Sequence, residues 1–172
     1  MARTNRFLGS YLHEAVFGYQ DGLVSAFALI LGVSAAVMDS SLIILVTLIE
    51  AFAGATSMAL GSYNSLRSEL DFAESHRQKL LIASPLRLAL VMFVAFLLGS
   101  FIPLLPFLFS FAFFSTLEVV VIFSLLGLFV VGALKARVTH RVWWRSGLEM
   151  TFLGVCAAVV ALVAGHVIGL LL

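Results

Sequence analysis

The stretch GLEMTFLGVCAAVVALVAGHVIGLL, residues 147–171, runs for 25 residues without a lysine or an arginine. A helix that crosses a bilayer needs about 20 mainly apolar residues, so this stretch predicts a membrane-spanning helix. The whole chain of 172 residues has the same character, because 62% of it is hydrophobic and 11% is charged, with a mean hydropathy of +1.15. Soluble domains are roughly half apolar and about a quarter charged. The composition therefore indicates an integral membrane protein.

Four further apolar runs precede this stretch, and polar segments or prolines separate them. Pro103 and Pro106 mark one of the breaks, since proline cannot continue the hydrogen-bond ladder of a helix. The predicted spans cover about residues 14–37, 42–63, 88–102, 107–134 and 147–171. The longest polar segment is the loop at 64–87. The sequence thus predicts an all-α, polytopic membrane protein, with five transmembrane helices in a single domain over residues 1–172.

The positive charges predict the orientation of this domain. With five spans, the amino terminus and the loops after the second and fourth spans share one side of the membrane. All 10 lysines and arginines fall in those segments: Arg3, Arg6, Arg67, Arg77, Lys79, Arg87, Lys135, Arg137, Arg141 and Arg145. The positive-inside rule places that side in the cytosol and the carboxyl terminus outside it. Topology explains these basic segments, so no nucleic-acid partner is expected, and no cleaved signal peptide is indicated.

Three carboxylates, Asp21, Glu50 and Glu118, fall inside predicted spans. Such a group costs about 2.5–3.5 kcal/mol at the centre of a membrane helix, so it needs a proton, a cation or a partner of opposite charge. Because no lysine or arginine lies within a span, protonation or a bound cation remains. Glu118 also has a structural interpretation, as a protonated residue that hydrogen-bonds between helices.

Small and sulfur-containing residues accompany two of these carboxylates. Met58 follows Glu50 by eight residues, and oxygen ligands with a thioether favour a softer divalent ion such as ferrous iron. Alternatively, Met58 is an ordinary apolar residue that faces lipid or fills the core between helices. The candidate metal ligands are Asp21, Glu50 and Met58. One chain offers few ligands, so a symmetric homodimer that pools two copies is an attractive arrangement.

Glycines follow the same two spans and predict close helix packing or a dimer contact. They are Gly18, Gly22, Gly54 and Gly61. The polar loop holds three further carboxylates, Glu69, Asp71 and Glu74, at helical spacing. With Glu118 they are candidate accessory groups for metal ions or protons, and a solvated charged helix is the alternative for the loop set.

Several segments resemble the vacuolar iron transporter family, which includes the yeast-type vacuolar iron and manganese carrier. They are GYQDGLVS at 18–25, FAL at 27–29 with Gly32, EAFAGATSMALGSY at 50–63, PLLPF at 103–107, GALKAR at 132–137, SGLEM at 146–150 and GVCAA at 154–158. The first helix and the second helix carry the more specific part of the likeness. The resemblance covers nearly the whole chain.

This resemblance implies a five-helix protomer that forms a homodimer, with an ion path between the protomers. It implies export of ferrous iron or manganese from the cytosol, with proton exchange, across the cell membrane or, in a eukaryote, a vacuolar or other internal membrane. The matching site positions are Asp21, Glu50 and Met58. No resident cofactor is expected, because the metal is the substrate. The chain departs from the vacuolar type in having about two dozen residues where that type has a long glutamate-rich cytosolic domain.

The sequence also bears on two other classes of function. An intramembrane enzyme is not expected: Asp21-Gly22 is reminiscent of alcohol phosphotransferases, but their arginine and their further spaced aspartates are absent. An accessory or structural membrane subunit without transport activity is the alternative function. It would not need carboxylates within the membrane, so neutral variants of Asp21 and Glu50 distinguish it from a transporter.

Overall fold

A computed structural model describes residues 2–36, 39–76, 83–109 and 115–171, with side chains from residue 8 onward. Within these ranges the chain is helical and has no strand. The helices are α1 (Ala2–Ala36), α2 (Ser40–Ser75), α3 (Pro85–Leu104), α4 (Thr116–Thr139) and α5 (Trp143–Gly169). All five are long and apolar enough to cross a membrane. The predicted all-α membrane protein with five spans is confirmed.

Helix α1 is the centre of the bundle and contacts each of the other four helices. Its fully buried residues Phe27 and Ile30 lie in a core to which every helix contributes. The buried members of that core are Phe27, Ile30, Leu31, Ile43, Leu104, Val120 and Ala158. A central first helix places any polar residue of its inner faces among the neighbouring helices.

The contact between α1 and α3 is close enough to bring the two backbones together. A Cβ atom at Gly22 would overlap the backbone carbonyl of Phe96, and one at Gly99 would overlap the backbone carbonyl of Tyr19. The buried Ser100 hydroxyl donates a hydrogen bond to the Gly22 carbonyl oxygen across the contact, at 3.1 Å. Small residues permit this approach in membrane helices, where van der Waals packing drives association.

Helix α4 begins later than the sequence predicted, at Thr116 instead of residue 107. The reason is a capping box: the Ser115 hydroxyl accepts from the Glu118 amide at 3.3 Å, and the Glu118 carboxylate accepts from the Ser115 amide at 2.9 Å. These bonds satisfy amide groups that the first turn of a helix leaves unpaired. Glu118 therefore lies exposed in the first turn of α4, whereas the predicted span 107–134 placed it further from the helix start.

The other helix ends differ from the predicted spans in both directions. Helix α2 continues through Ser75, so the first half of the predicted loop at 64–87 is helical. The Asp39 carboxylate accepts from the Ser41 amide at 2.9 Å and caps the start of α2. Helix α3 ends at Leu104, one residue after Pro103. Arg77 and Lys79 of the predicted basic loop lie outside the described residues.

Candidate functional site within the membrane helices

Helices α1 and α2 bring three polar residues of the spans together. The Ser25 hydroxyl donates to the Gly22 carbonyl oxygen at 3.4 Å and lies near the Glu50 carboxylate. The Asp21 carboxylate lies close enough to repel Glu50 electrostatically. Asp21 and Ser25 are one turn apart on α1, and Glu50 approaches them from α2. Asp21 and Glu50, the two carboxylates whose burial in the membrane is costly, therefore lie near each other in the fold.

One oxygen of Glu50 lacks a partner. Among the described residues, Glu50 Oε2 is the buried side-chain atom for which the structure provides no hydrogen bond. A buried polar atom without a partner costs about 1–3 kcal/mol, and more when the group is charged. The arrangement is thus incomplete without a proton or a cation on this carboxylate.

Gly54 creates the space into which the Glu50 side chain folds. A Cβ atom at Gly54 would lie 2.6 Å from Cζ of Phe96 and 3.1 Å from Glu50 Oε1. The Phe96 ring of α3 and the Glu50 carboxylate therefore share the room left by the missing side chain. An apolar ring on one side of a carboxylate keeps water away and strengthens its attraction for a cation.

The remaining predicted site residues of α1 and α2 differ in how deeply they are buried and in what they contact. Met58 is half-buried on α2, eight residues after Glu50. Gly18 packs against the Met92 backbone and side chain of α3 within the same chain. Gly61 is exposed, and a Cβ atom there would meet no atom within 4 Å. Gly18 and Gly22 thus contact α3, while Gly61 faces open space.

The structure does not bring the accessory carboxylates to this site. Glu69, Asp71 and Glu74 are exposed on the last turns of α2, and Asp71 forms an ion pair with Arg67 at 3.3 Å. Within the described ranges, no three His, Cys, Asp or Glu side chains gather into a group that could hold a metal ion. Glu118 serves as the cap of α4 at a helix end. One chain therefore supplies two intramembrane carboxylates to the site.

Sequence reasoning missed the burial of Glu14, which is the first residue of the predicted span 14–37. The side chain is buried, with the residue only 6% exposed, and its Oε2 accepts a 2.8 Å hydrogen bond from the Ser62 hydroxyl of α2. The spacing from Asp21 is seven residues, which places both carboxylates on one face of α1. That spacing was the available signal. The Ser115-x-x-Glu118 pattern was likewise a readable capping box.

Comparison with known proteins supplies independent evidence. A model of the VIT family matches residues 12–81 and 76–166. Vacuolar iron transporter homolog 2 of Arabidopsis thaliana is 33% identical over 167 residues, covering 93% of this chain and 85% of that protein. Vacuolar iron transporter 1 of the same plant is 25% identical over 217 residues, covering 93% of this chain and 87% of that protein.

A third relative, vacuolar iron transporter homolog 4 of Arabidopsis thaliana, is 35% identical over 105 residues, which are 55% of this chain and 52% of that protein. The family model spans most of the chain, including both helices that carry the intramembrane carboxylates. The resemblance that the sequence segments indicated is confirmed: the chain belongs to the VIT family, whose similar members are named vacuolar iron transporters.

Proposed function

We propose that the protein transports a divalent transition metal, ferrous iron or manganese, out of the cytosol in exchange for protons. The observation that carries this proposal is the buried Glu50 Oε2 without a hydrogen-bond partner, next to Asp21. Relatives named vacuolar iron transporters support the substrate class. A multi-pass membrane protein whose relatives are transporters is also not expected to be an enzyme.

The proposed mechanism uses the two carboxylates as a shared site for the substrate or for protons. Two like charges close together repel each other, so a divalent cation or a proton on one of them relieves the repulsion. A dehydrated cation gains carboxylate oxygens from Asp21 and Glu50, and the Met58 thioether favours a softer ion over magnesium or calcium. Release to the opposite side returns protons to the carboxylates. Rocking of helices around this site would alternate access.

The proposed direction depends on the orientation of the chain. The concentration of lysine and arginine in three segments supports a cytosolic amino terminus and an extracytosolic carboxyl terminus. Helix α1 then enters the membrane from the cytosol, and α2 returns to it. The membrane is the cell membrane or, in a eukaryote, a vacuolar or other internal membrane.

We further propose that two copies form the working transporter. An open groove runs along the outward face of α2, and its lining is mostly apolar with two hydroxyl groups. The lining residues are Leu48, Ile49, Phe52, Ala53, Thr56, Ser57 and Leu60. This face lies beside Glu50 and Met58 on the same helix. A second copy bound there would therefore add its own ligands to the two carboxylates that one chain supplies. An isologous contact of this kind closes as a dimer.

Cross-linking tests the dimer. In a Cys156→Ala background, Thr56→Cys is expected to give a covalent dimer of twice 18.6 kDa with a short bifunctional thiol reagent in membranes. Val160→Cys, on α5 and 70% exposed, is the matched control and is expected to stay monomeric. Equal cross-linking at both positions would indicate random collision, and cross-linking at Val160 alone would contradict the proposed face.

Uptake into reconstituted vesicles tests transport. Vesicles with an acidic interior are expected to accumulate Fe²⁺ or Mn²⁺ faster than vesicles in which an ionophore has collapsed the pH gradient, because the interior stands for the extracytosolic side and supplies the exchanged protons. A metal-sensitive dye inside the vesicles reports the rate, and vesicles without protein give the background. Absence of uptake for both metals would contradict transport. Uptake that does not depend on the pH gradient would contradict only the proton exchange, and transport itself would stand.

A further inference from the structure

Glu14 is a buried carboxylate that the proposed mechanism does not use. It lies at the cytosolic end of α1 in the proposed orientation, and its 6% exposure puts it among the most buried polar residues described. The structure pairs it with the Ser62 hydroxyl at 2.8 Å and, more distantly, with Nδ1 of His13 at 3.4 Å. A hydroxyl is neutral and does not balance the charge of a carboxylate. The His13 side chain is 73% exposed and is charged only when protonated.

The position of Glu14 relates it to the carboxylate pair. Seven residues separate Glu14 from Asp21, which is about 10.5 Å along a helix at 1.5 Å per residue. Seven residues also return to nearly the same direction around the helix, so both carboxylates occupy one face of α1. Ser25 continues that face by four more residues and lies near Glu50.

Helix α2 runs antiparallel to α1, so its polar residues follow one another from the cytosolic end in the same order as those of α1. The Glu14–Ser62 hydrogen bond pairs positions 14 and 62, and the contact of Ser25 with Glu50 pairs positions 25 and 50. In that register, position 58 lies opposite position 18, between the Glu14–Ser62 pair and the Ser25–Glu50 pair. Met58 is also one turn from Ser62 on α2. A cation that enters from the cytosol thus meets Glu14 first, then Met58, and then Asp21 with Glu50.

We propose that Glu14 is the first carboxylate to bind the divalent cation at the cytosolic mouth of the α1–α2 contact, where the cation replaces the Ser62 hydroxyl. This inference rests on the proposed transport function. Ser62 keeps the carboxylate hydrogen-bonded and oriented while no cation is present. A purely structural link between α1 and α2 would instead need both partners of the hydrogen bond equally.

Two variants separate binding from a structural link. In vesicles with Mn²⁺ as the probe, Glu14→Gln is expected to raise the KM by about 10-fold or more, because the amide offers an entering cation no negative charge. Its kcat is expected to remain within about twofold of the wild type, because Asp21 and Glu50 are intact. Ser62→Ala removes the hydrogen bond but keeps the carboxylate, so its KM is expected to equal or fall below that of the wild type.

The results that overturn the inference are distinct from those that overturn transport. An unchanged KM for Glu14→Gln in an active transporter contradicts only this inference, as does an equal rise of KM in Ser62→Ala. Absence of Mn²⁺ uptake by the wild type contradicts both. If Glu14→Gln does not fold, Glu14→Asp replaces it: the charge is retained on a shorter side chain, and a KM nearer the wild type than that of Glu14→Ala is expected. A KM for Glu14→Asp as high as that of Glu14→Ala would contradict the role of the charge.

Discussion

Glu50→Gln and Asp21→Asn, made separately, are each expected to reduce metal uptake by reconstituted vesicles at least about a hundredfold, equivalent to roughly 2.8 kcal/mol of lost stabilisation of the bound cation. An amide keeps the size of the side chain but has no charge to offer a dehydrated cation. It also cannot take up and release a proton. Because the site has two carboxylates from one chain, the loss of either leaves the cation without half of its charged ligands.

Thermal unfolding in detergent distinguishes this loss from misfolding. Glu50→Gln is expected to unfold at or above the temperature of the wild type without metal, because the buried carboxylate with an unpartnered oxygen is destabilising. Glu118→Gln is the matched control, since glutamine can also complete the capping box and the residue is exposed at the end of α4. We expect this control to retain full uptake. Undiminished uptake in an Asp21→Asn/Glu50→Gln double variant would favour an accessory membrane subunit over a transporter.

Gly22→Ala is expected to destabilise the folded protein by about 3 kcal/mol or more, the upper part of the range for overpacking. The added Cβ would overlap the backbone carbonyl of Phe96, and it would lie 2.9 Å from the Ser100 hydroxyl oxygen. A backbone carbonyl cannot rotate away as a side chain can, so α1 and α3 would have to separate. That separation would also break the Ser100–Gly22 hydrogen bond. The temperature of unfolding in detergent measures the effect.

Gly9→Ala, on the same helix, is the matched control for this prediction. A Cβ atom at Gly9 would meet no atom within 4 Å, and alanine is favoured over glycine in a helix by about 1 kcal/mol. Its unfolding temperature is expected to equal or exceed that of the wild type. If Gly22→Ala were as stable as Gly9→Ala, the close contact of α1 with α3 would be incorrect.

The positions of the five spans were predictable because lipid imposes a simple requirement on composition and length. The ends were less predictable, because local hydrogen bonds decide them. At Ser115 and Glu118 a capping box starts α4 inside a run that is apolar enough to have begun earlier. At the end of α2 the chain stays helical through charged residues, where Arg67 and Asp71 pair one turn apart. Hydropathy does not detect either effect.

The sequence by itself determined that the chain lies in a membrane, how many times it crosses and which spans carry carboxylates, because the cost of placing charge in lipid depends on residue type and position along the chain. Only the tertiary structure decided which of those carboxylates meet. It places Asp21 near Glu50, buries Glu14 against Ser62 and leaves Glu118 at a helix end. The reason is that a helix has several faces, and the packing of neighbouring helices selects the face that becomes buried.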